Sequence, residues 1–175
     1  MAHAPFHEIP APPESYSATT VLSRLMEGLG YRYYWATEGL TAEALAFRPD
    51  PSSRSIRETM DHIHDIVQMV ECSLTGDTYA LPSPEIAEDF DVRGTTLDMI
   101  QRISETLRGA DPAQIAEWKI RFDMGGNPME FPFWHTINGT MSDAIYHTGQ
   151  VVANRRAAGL PVNPNMNVFL GQTSA

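Results

Sequence analysis

Ser55-Ile56-Arg57-Glu58-Thr59-Met60-Asp61-His62-Ile63-His64 opens the stretch from which the fold follows. Ser52, Ser53 or Ser55 can cap a helix here, and Glu58 lies three residues after Ser55, the spacing of a capping box, in which hydroxyl and carboxylate each take a backbone N–H at a helix start. From there to about Leu74, Ile56, Met60, Ile63, Val67 and Val70 recur at helical spacing and mark one buried stripe. His62 and His64 are two positions apart, about 200° around the axis, so both cannot face one site. His62 shares a shoulder with Thr59, Ile66 and Met69, and His64 shares the other with Arg57 and Gln68. The first shoulder is the more apolar, which makes His62 the inward residue and His64 the solvated one. A hydrogen-bonded core histidine satisfies that position as well as a metal ligand does.

Upstream, Pro5, Pro10, Pro12 and Pro13 forbid a helix and define an N-terminal arm, residues 1–16, lying on the domain, with His3 and His7 facing solvent. Val21, Leu22, Leu25, Met26 and Leu29 predict a first helix from near Ser17, extended toward Thr37 by Tyr31, Tyr33, Tyr34 and Trp35. Arg48-Pro49-Asp50-Pro51 stops it from running into the next. Downstream, residues 76–93 carry Pro82 and Pro84 and read as a long polar crossover between helices. Leu97, Ile100, Ile103 and Leu107 predict a third helix from about Thr96 to Arg108. Between Asp111 and Phe133 the pattern is irregular, with a short extended segment at Trp118–Phe122 ended by Gly125-Gly126-Asn127-Pro128.

A fourth helix is predicted from about Phe133 to Ala158, closed by Gly159 and Pro161. Asp143 and His147 lie four apart on it, with Cβ atoms about 5–6 Å from one another, so one ion can reach both. A surface or second-shell pair has the same spacing. His135, about 12 Å up the axis from Asp143, is too far to share that ion and reads as structural. These are four amphipathic helices with one long crossover between the second and third: an all-α four-helix bundle over residues 17–161, followed by a tail, 162–175, packed on the bundle. Val168, Phe169 and Leu170 form an apolar tip on that tail in need of a packing partner.

The bulk numbers limit the function classes. With 175 residues the chain suits one domain, and a net charge of −10 supplies no basic surplus for nucleic acid or an anionic membrane, Arg155-Arg156 being its one dense basic pair. The single cysteine, Cys72, forbids an intrachain disulfide and a Cys-rich zinc site, as in a reducing compartment. No apolar run of about 20 residues spans a bilayer, and the N-terminal residues lack the pattern of a signal peptide, so the expected location is the cytoplasm.

Taken together, Ser55 to Ile63 resembles the second-helix motif of the DinB/YfiT-like superfamily, and Phe133-Trp134-His135-Thr136-Ile137-Asn138 with Asp143 to Gln150 resembles its fourth helix. His147-Thr148-Gly149-Gln150 matches the His-x-Gly-Gln signature there, and Leu40 to Pro49 fits the joint between first and second helices. The resemblance implies an up-down-down-up four-helix bundle, often dimeric, holding one divalent ion through His62, Asp143 and His147. Zinc is the leading ion, with nickel, iron and manganese as alternatives. The commonest ligand set of the superfamily is three histidines, and Asp143 departs from it. Two imidazoles and one carboxylate still ligate a divalent ion and resemble the facial set of non-haem iron enzymes.

Three protein ligands leave positions open for water or substrate, as catalytic sites require. The resemblance implies a metal-dependent enzyme acting on a small molecule, first a thiol-dependent S-transferase with a small thiol as cosubstrate, next a hydrolase. The competing expectation is a non-catalytic, metal-stabilised stress or binding protein. Trp134 and Tyr146 are candidates to shape the pocket and Gln150 to orient a ligand, against core packing or a helix–helix hydrogen bond. A homodimer is expected, with neither nucleic acid nor membrane as partner.

Overall fold

The computed structural model describes residues 5–174. Ser17 caps α1 (Ala18–Thr37): its hydroxyl accepts from Thr20 N at 3.2 Å, and the Thr20 hydroxyl accepts from Ser17 N at 2.8 Å. The helix runs through the aromatic stretch, and Tyr31, Tyr33, Tyr34 and Trp35 are all buried. A short α2 (Ala42–Ala46), capped by Thr41, fills the joint before α3 (Ile56–Thr75). The capping box at Ser55 and Glu58 is formed, and α3 ends on Gly76 at φ +84, a left-handed conformation that favours glycine.

α4 (Val92–Gly109) begins four residues before Thr96, where the sequence pattern starts, because the Asp91 carboxylate caps it by accepting from Gly94 N at 2.9 Å. The last long helix is α5 (Ser142–Ala157), followed by Gly159 at φ +81. α1 packs on α4 and α5, and α3 packs on the same two, so four long helices enclose one core that includes Leu29, Ile63, Val67, Ile100 and Val151. Each such side chain contributes about 1.5–3 kcal/mol on burial. Arg155 reaches from α5 to the C-terminal end of α1 and donates to Trp35 O at 2.8 Å and Ala36 O at 2.9 Å, satisfying carbonyls that the helix itself leaves open. It is therefore buried, and Arg155-Arg156 does not form an exposed basic pair.

The fold is mostly helical, yet it is not all-α. β1 (Thr78–Leu81) runs parallel to β2 (Lys119–Met124), which pairs antiparallel with β3 (Pro128–Pro132) across a turn with Gly125 and Gly126 at positive φ. β2 contains most of the extended segment expected at Trp118–Phe122. β1 lies in the stretch expected to be a long polar crossover. Its partner is on the far side of α4 in the chain, so no local hairpin pattern announces it. A further two-stranded pair, β4 (Met166–Asn167) and β5 (Gln172–Thr173), closes the tail.

The expected fourth helix is also not uniform. Thr136–Met141 is π-helical, and Ser142 Oγ donates to Ile137 O at 2.8 Å. Thr136, Ile137, Gly139 and Thr140 are weak α-helix formers, and the wider turn ends where α5 begins.

The arm lies along the bundle. Phe6 is buried against Gly30, where a Cβ would come within 2.5 Å of the ring, and His7 packs its ring on Tyr34 and Trp35 instead of facing solvent. His3 lies outside the described residues. Ile9 N donates to Gly171 O at 2.8 Å, tying arm to tail, and Tyr31 Oη donates to Gln172 O at 2.8 Å. The apolar tip departs from expectation: Phe169 is 93% exposed, and Val168 and Leu170 are exposed with it. Asn167 Oδ1 accepts from Phe169 N and Leu170 N, and this turn carries the tip outward. Among the described residues no helix is long and apolar enough to cross a membrane.

Candidate metal centre

α3 and α5 pack side by side, and their facing surfaces bring His62, Asp143 and His147 together. His147 lies one turn after Asp143, and its Nε2 is 3.4 Å from Asp143 Oδ1. His62 Nε2, reaching from α3, is 3.8 Å from Asp143 Oδ2, and the two imidazole centroids are 4.6 Å apart. One ligand atom from each residue falls within 4.8 Å of the others. Ligands held about 2.1 Å from a tetrahedral or octahedral ion stand roughly 3.0–3.4 Å apart, so small side-chain adjustments bring this set to bonding geometry. The donor set, two imidazoles and a carboxylate, could hold a divalent ion.

Protonation agrees with that capacity. His62 is held below the ordinary histidine pKa, first by burial and then by Coulombic interaction with Arg54 and with the neighbouring His147 ring, against the opposing pull of Asp143 and Asp65. A neutral imidazole keeps a lone pair for a metal near neutral pH. The Asp143 side chain is 45% exposed while that of His147 is 10% exposed, so solvent reaches the trio from the carboxylate side.

On that side lies a shallow, open depression of about 390 Å³, lined by Asn138, Thr140, Ser142, Asp143 and Tyr146. The π-helical turn, which leads directly into α5, supplies the first two. Tyr146 is exposed, with its ring centroid 5.3 Å from that of His147, and forms a wall of the depression. Trp134 does not line it and is 73% exposed, so it neither packs in the core nor shapes this surface. Gln150 Oε1 is 2.7 Å from His147 Nδ1, inside the same helix and not across to another.

Two histidines lie away from the trio. His64 is buried, not solvated as the sequence pattern suggests: Nδ1 is 2.9 Å from Thr96 Oγ1, and Phe90 packs edge-on against the ring. The connection into α4 returns over that shoulder, and Arg57 donates to Ala87 O and Glu88 O on it, so the polar face of α3 is covered there. His135 is exposed against Phe131, apart from the trio. Sequence reasoning missed Arg54, which immediately precedes the Ser55 cap and whose charge disfavours protonation of His62. It also missed Asn138, Thr140 and Ser142, whose weak helix propensity beside Gly139 was the only hint.

No protein-family model matches the chain, and no curated protein matches it. Solved structures do. A DinB-like protein from Bacillus cereus is similar at 17% identity and a TM-score of 0.54, over 84% of this chain and 96% of that one. A DinB-like protein from Bacillus subtilis is similar at 16% identity and a TM-score of 0.51, over 89% and 94%. A DinB family member from Shewanella denitrificans follows at 14% identity and a TM-score of 0.52, over 90% and 91%. The likeness extends over nearly the full length of each neighbour, and it supports the resemblance carried by the second- and fourth-helix motifs: this chain has the DinB-like fold.

Proposed function

We propose that the protein binds one divalent ion, zinc first, through His62, Asp143 and His147, and uses it as a metal-dependent enzyme on a small molecule. The observation that carries this reading is the convergence of three ligand atoms within 4.8 Å, from two helices, beside an open depression. A divalent ion there supplies Lewis acidity and lowers the pKa of a bound water or thiol, giving a nucleophile near neutral pH. The side chains around it have separable duties. Gln150 holds the His147 ring in place, the Arg54 charge helps keep His62 neutral, and Asn138, Thr140 and Ser142 offer uncharged hydrogen-bonding groups to a substrate.

Thiol-dependent S-transfer is the favoured reaction, supported by the DinB-like resemblance, with a small thiol taken from solution. Hydrolysis is the alternative, and one observation favours it: the Asp143 side chain is 45% exposed, which leaves the site open to solvent. The same reading takes α1, α3, α4 and α5 as an up-down-down-up bundle in a cytoplasmic homodimer, the exposed tip Val168-Phe169-Leu170 being its contact. Light scattering of Phe169→Asp beside wild type tests the dimer.

The experiment for the metal and the activity is elemental analysis of protein purified without an affinity tag, with His147→Ala as control. About one ion per chain, absent from the control, is expected, and the loaded protein is then screened for transfer to small thiols and for hydrolysis. Turnover that requires added thiol identifies the transferase, and turnover without thiol identifies the hydrolase. A loaded protein inactive in both screens leaves a metal-stabilised binding protein. No ion after incubation with zinc, nickel, manganese and ferrous iron would sink the enzyme reading.

A further inference from the structure

Apart from the metal-ligating trio, the outer face of α1 borders a cleft of about 640 Å³. The arm contributes Pro12, Pro13 and Tyr16, α1 contributes Val21 and Leu25, and α5 contributes Ile145. The volume lies in the range of about 300–1,000 Å³ typical of small-molecule sites, which are mostly apolar with a few placed polar groups. Tyr16 and Val21 are exposed to it, although nothing in their own helix or arm requires large apolar surface there.

Two arginines stand on its wall, and they differ. Arg24 is engaged, with Nη1 donating to Pro10 O at 2.7 Å and to Glu27 Oε2 at 3.0 Å. Arg32 has no carboxylate partner among the described residues, and its Nη1 donates to Gly28 O at 2.9 Å. Gly28 leaves room for this bond, since a Cβ there would make a tight 3.2 Å contact with that nitrogen. The guanidinium is held to α1 on the cleft wall, with further N–H donors to offer. In a chain with 22 acidic and 12 basic residues, a guanidinium without an acidic partner, set in an apolar wall, is complementary to an anion that carries apolar surface.

We propose that this cleft binds an amphipathic monocarboxylate, with its alkyl chain along Val21, Leu25 and Ile145 and its carboxylate on Arg32. The proposal is independent of the metal reading, because Arg32 and Val21 belong to α1 and not to the trio.

Calorimetric titration of wild type with dodecanoate, dodecanol and dodecyltrimethylammonium tests it, the two ions kept below their micellar concentrations and the alcohol below its solubility limit. Saturable binding of one dodecanoate per chain is expected, with the neutral alcohol weaker by about tenfold and the cation weaker still. Arg32→Gln should lower dodecanoate affinity about tenfold and leave dodecanol unchanged, while Val21→Glu should weaken both. Val21 is 53% exposed, so its replacement leaves the core intact, and the charge series on wild type stands without either variant. Equal binding of the cation, or no binding, overturns the proposal. So does dodecanoate binding lost in His147→Ala but retained in Arg32→Gln, which would place the carboxylate on the metal centre. A dimer that Val21→Glu converts to monomer would assign the cleft to a second copy and overturn it as well.

Discussion

Gln150 Oε1 accepts from His147 Nδ1 at 2.7 Å, three residues apart on α5. An amide oxygen only accepts, so the proton sits on Nδ1, and Nε2 presents its lone pair toward Asp143 and His62. The expected outcome is that Gln150→Leu lowers zinc affinity ten- to a hundredfold, the usual consequence of losing such a partner, while Gln150→Glu retains most of it. Competition with a chromophoric chelator measures this. An unchanged affinity in Gln150→Leu would show that helix packing alone orients the ring.

His62 and His64 separate cleanly by experiment because they face different neighbours. His62→Ala and His147→Ala should each remove the ion and abolish the difference in melting temperature between metal-replete and chelator-treated protein. His64→Ala should keep the ion yet destabilise the fold by about 1–3 kcal/mol, because the buried hydrogen bond to Thr96 is lost. Loss of the ion in His64→Ala alone would mean that α3 is rotated from the orientation described.

The N-terminus of α3 carries an acid-sensitive contribution. Arg48 beside Glu58, together with the Ser55 N–H, holds the Glu58 carboxyl at about 2, below its ordinary 4.5. A depressed carboxyl stabilises the folded state above its ordinary pKa, and that contribution disappears as pH falls through the folded value. Glu58→Gln should therefore melt below wild type at pH 7, with the gap narrowing below about pH 4.5 and nearly closed by about pH 2. Thermal melts across that range decide it, and a gap independent of pH would assign the effect to the cap's shape and not to its charge. The effect is small, since both side chains are exposed.

Much of this was legible in local pattern. The helix start near Ser17, the capping-box spacing of Ser55 and Glu58, the apolar stripes of α1, α3 and α4, and the stop at Gly159 are short-range features, and each is found where the chain spells it. The shared face of Asp143 and His147 follows from their spacing, and His62 is the α3 histidine that the structure brings to them. What remained hidden depends on distant chain. β1 is a strand because β2 lies beside it, and His64 is buried because Phe90 and Thr96 fold over it. Trp134 looked like a core or pocket residue because large aromatics usually are, but it lies on the surface just ahead of the π-helical turn. Apolarity predicted packing for Phe169, and the Asn167 turn prevented it.

Glu27 shows how a distant contact can hold the arm and shape a surface. Its side chain is 2% exposed and sits between Arg24, at 3.0 Å, and Arg108. The same guanidiniums donate to Pro10 O and Ala11 O, so one buried carboxylate orients two cations that grip the arm. Removing it leaves both arginines without their counter-charge, but each reaches solvent and can rehydrate. The cost of Glu27→Ala should therefore be about 1–3 kcal/mol, below that of breaking a fully buried pair. The arm should loosen beyond this global loss: the Ile9 amide, bonded to Gly171 O, should exchange with deuterium at least tenfold faster relative to core amides of α1. Glu27→Gln, which keeps a hydrogen-bonding oxygen without the charge, should fall between. Ile9 exchange that merely follows the core would mean that Phe6 and the tail hold the arm without the arginines.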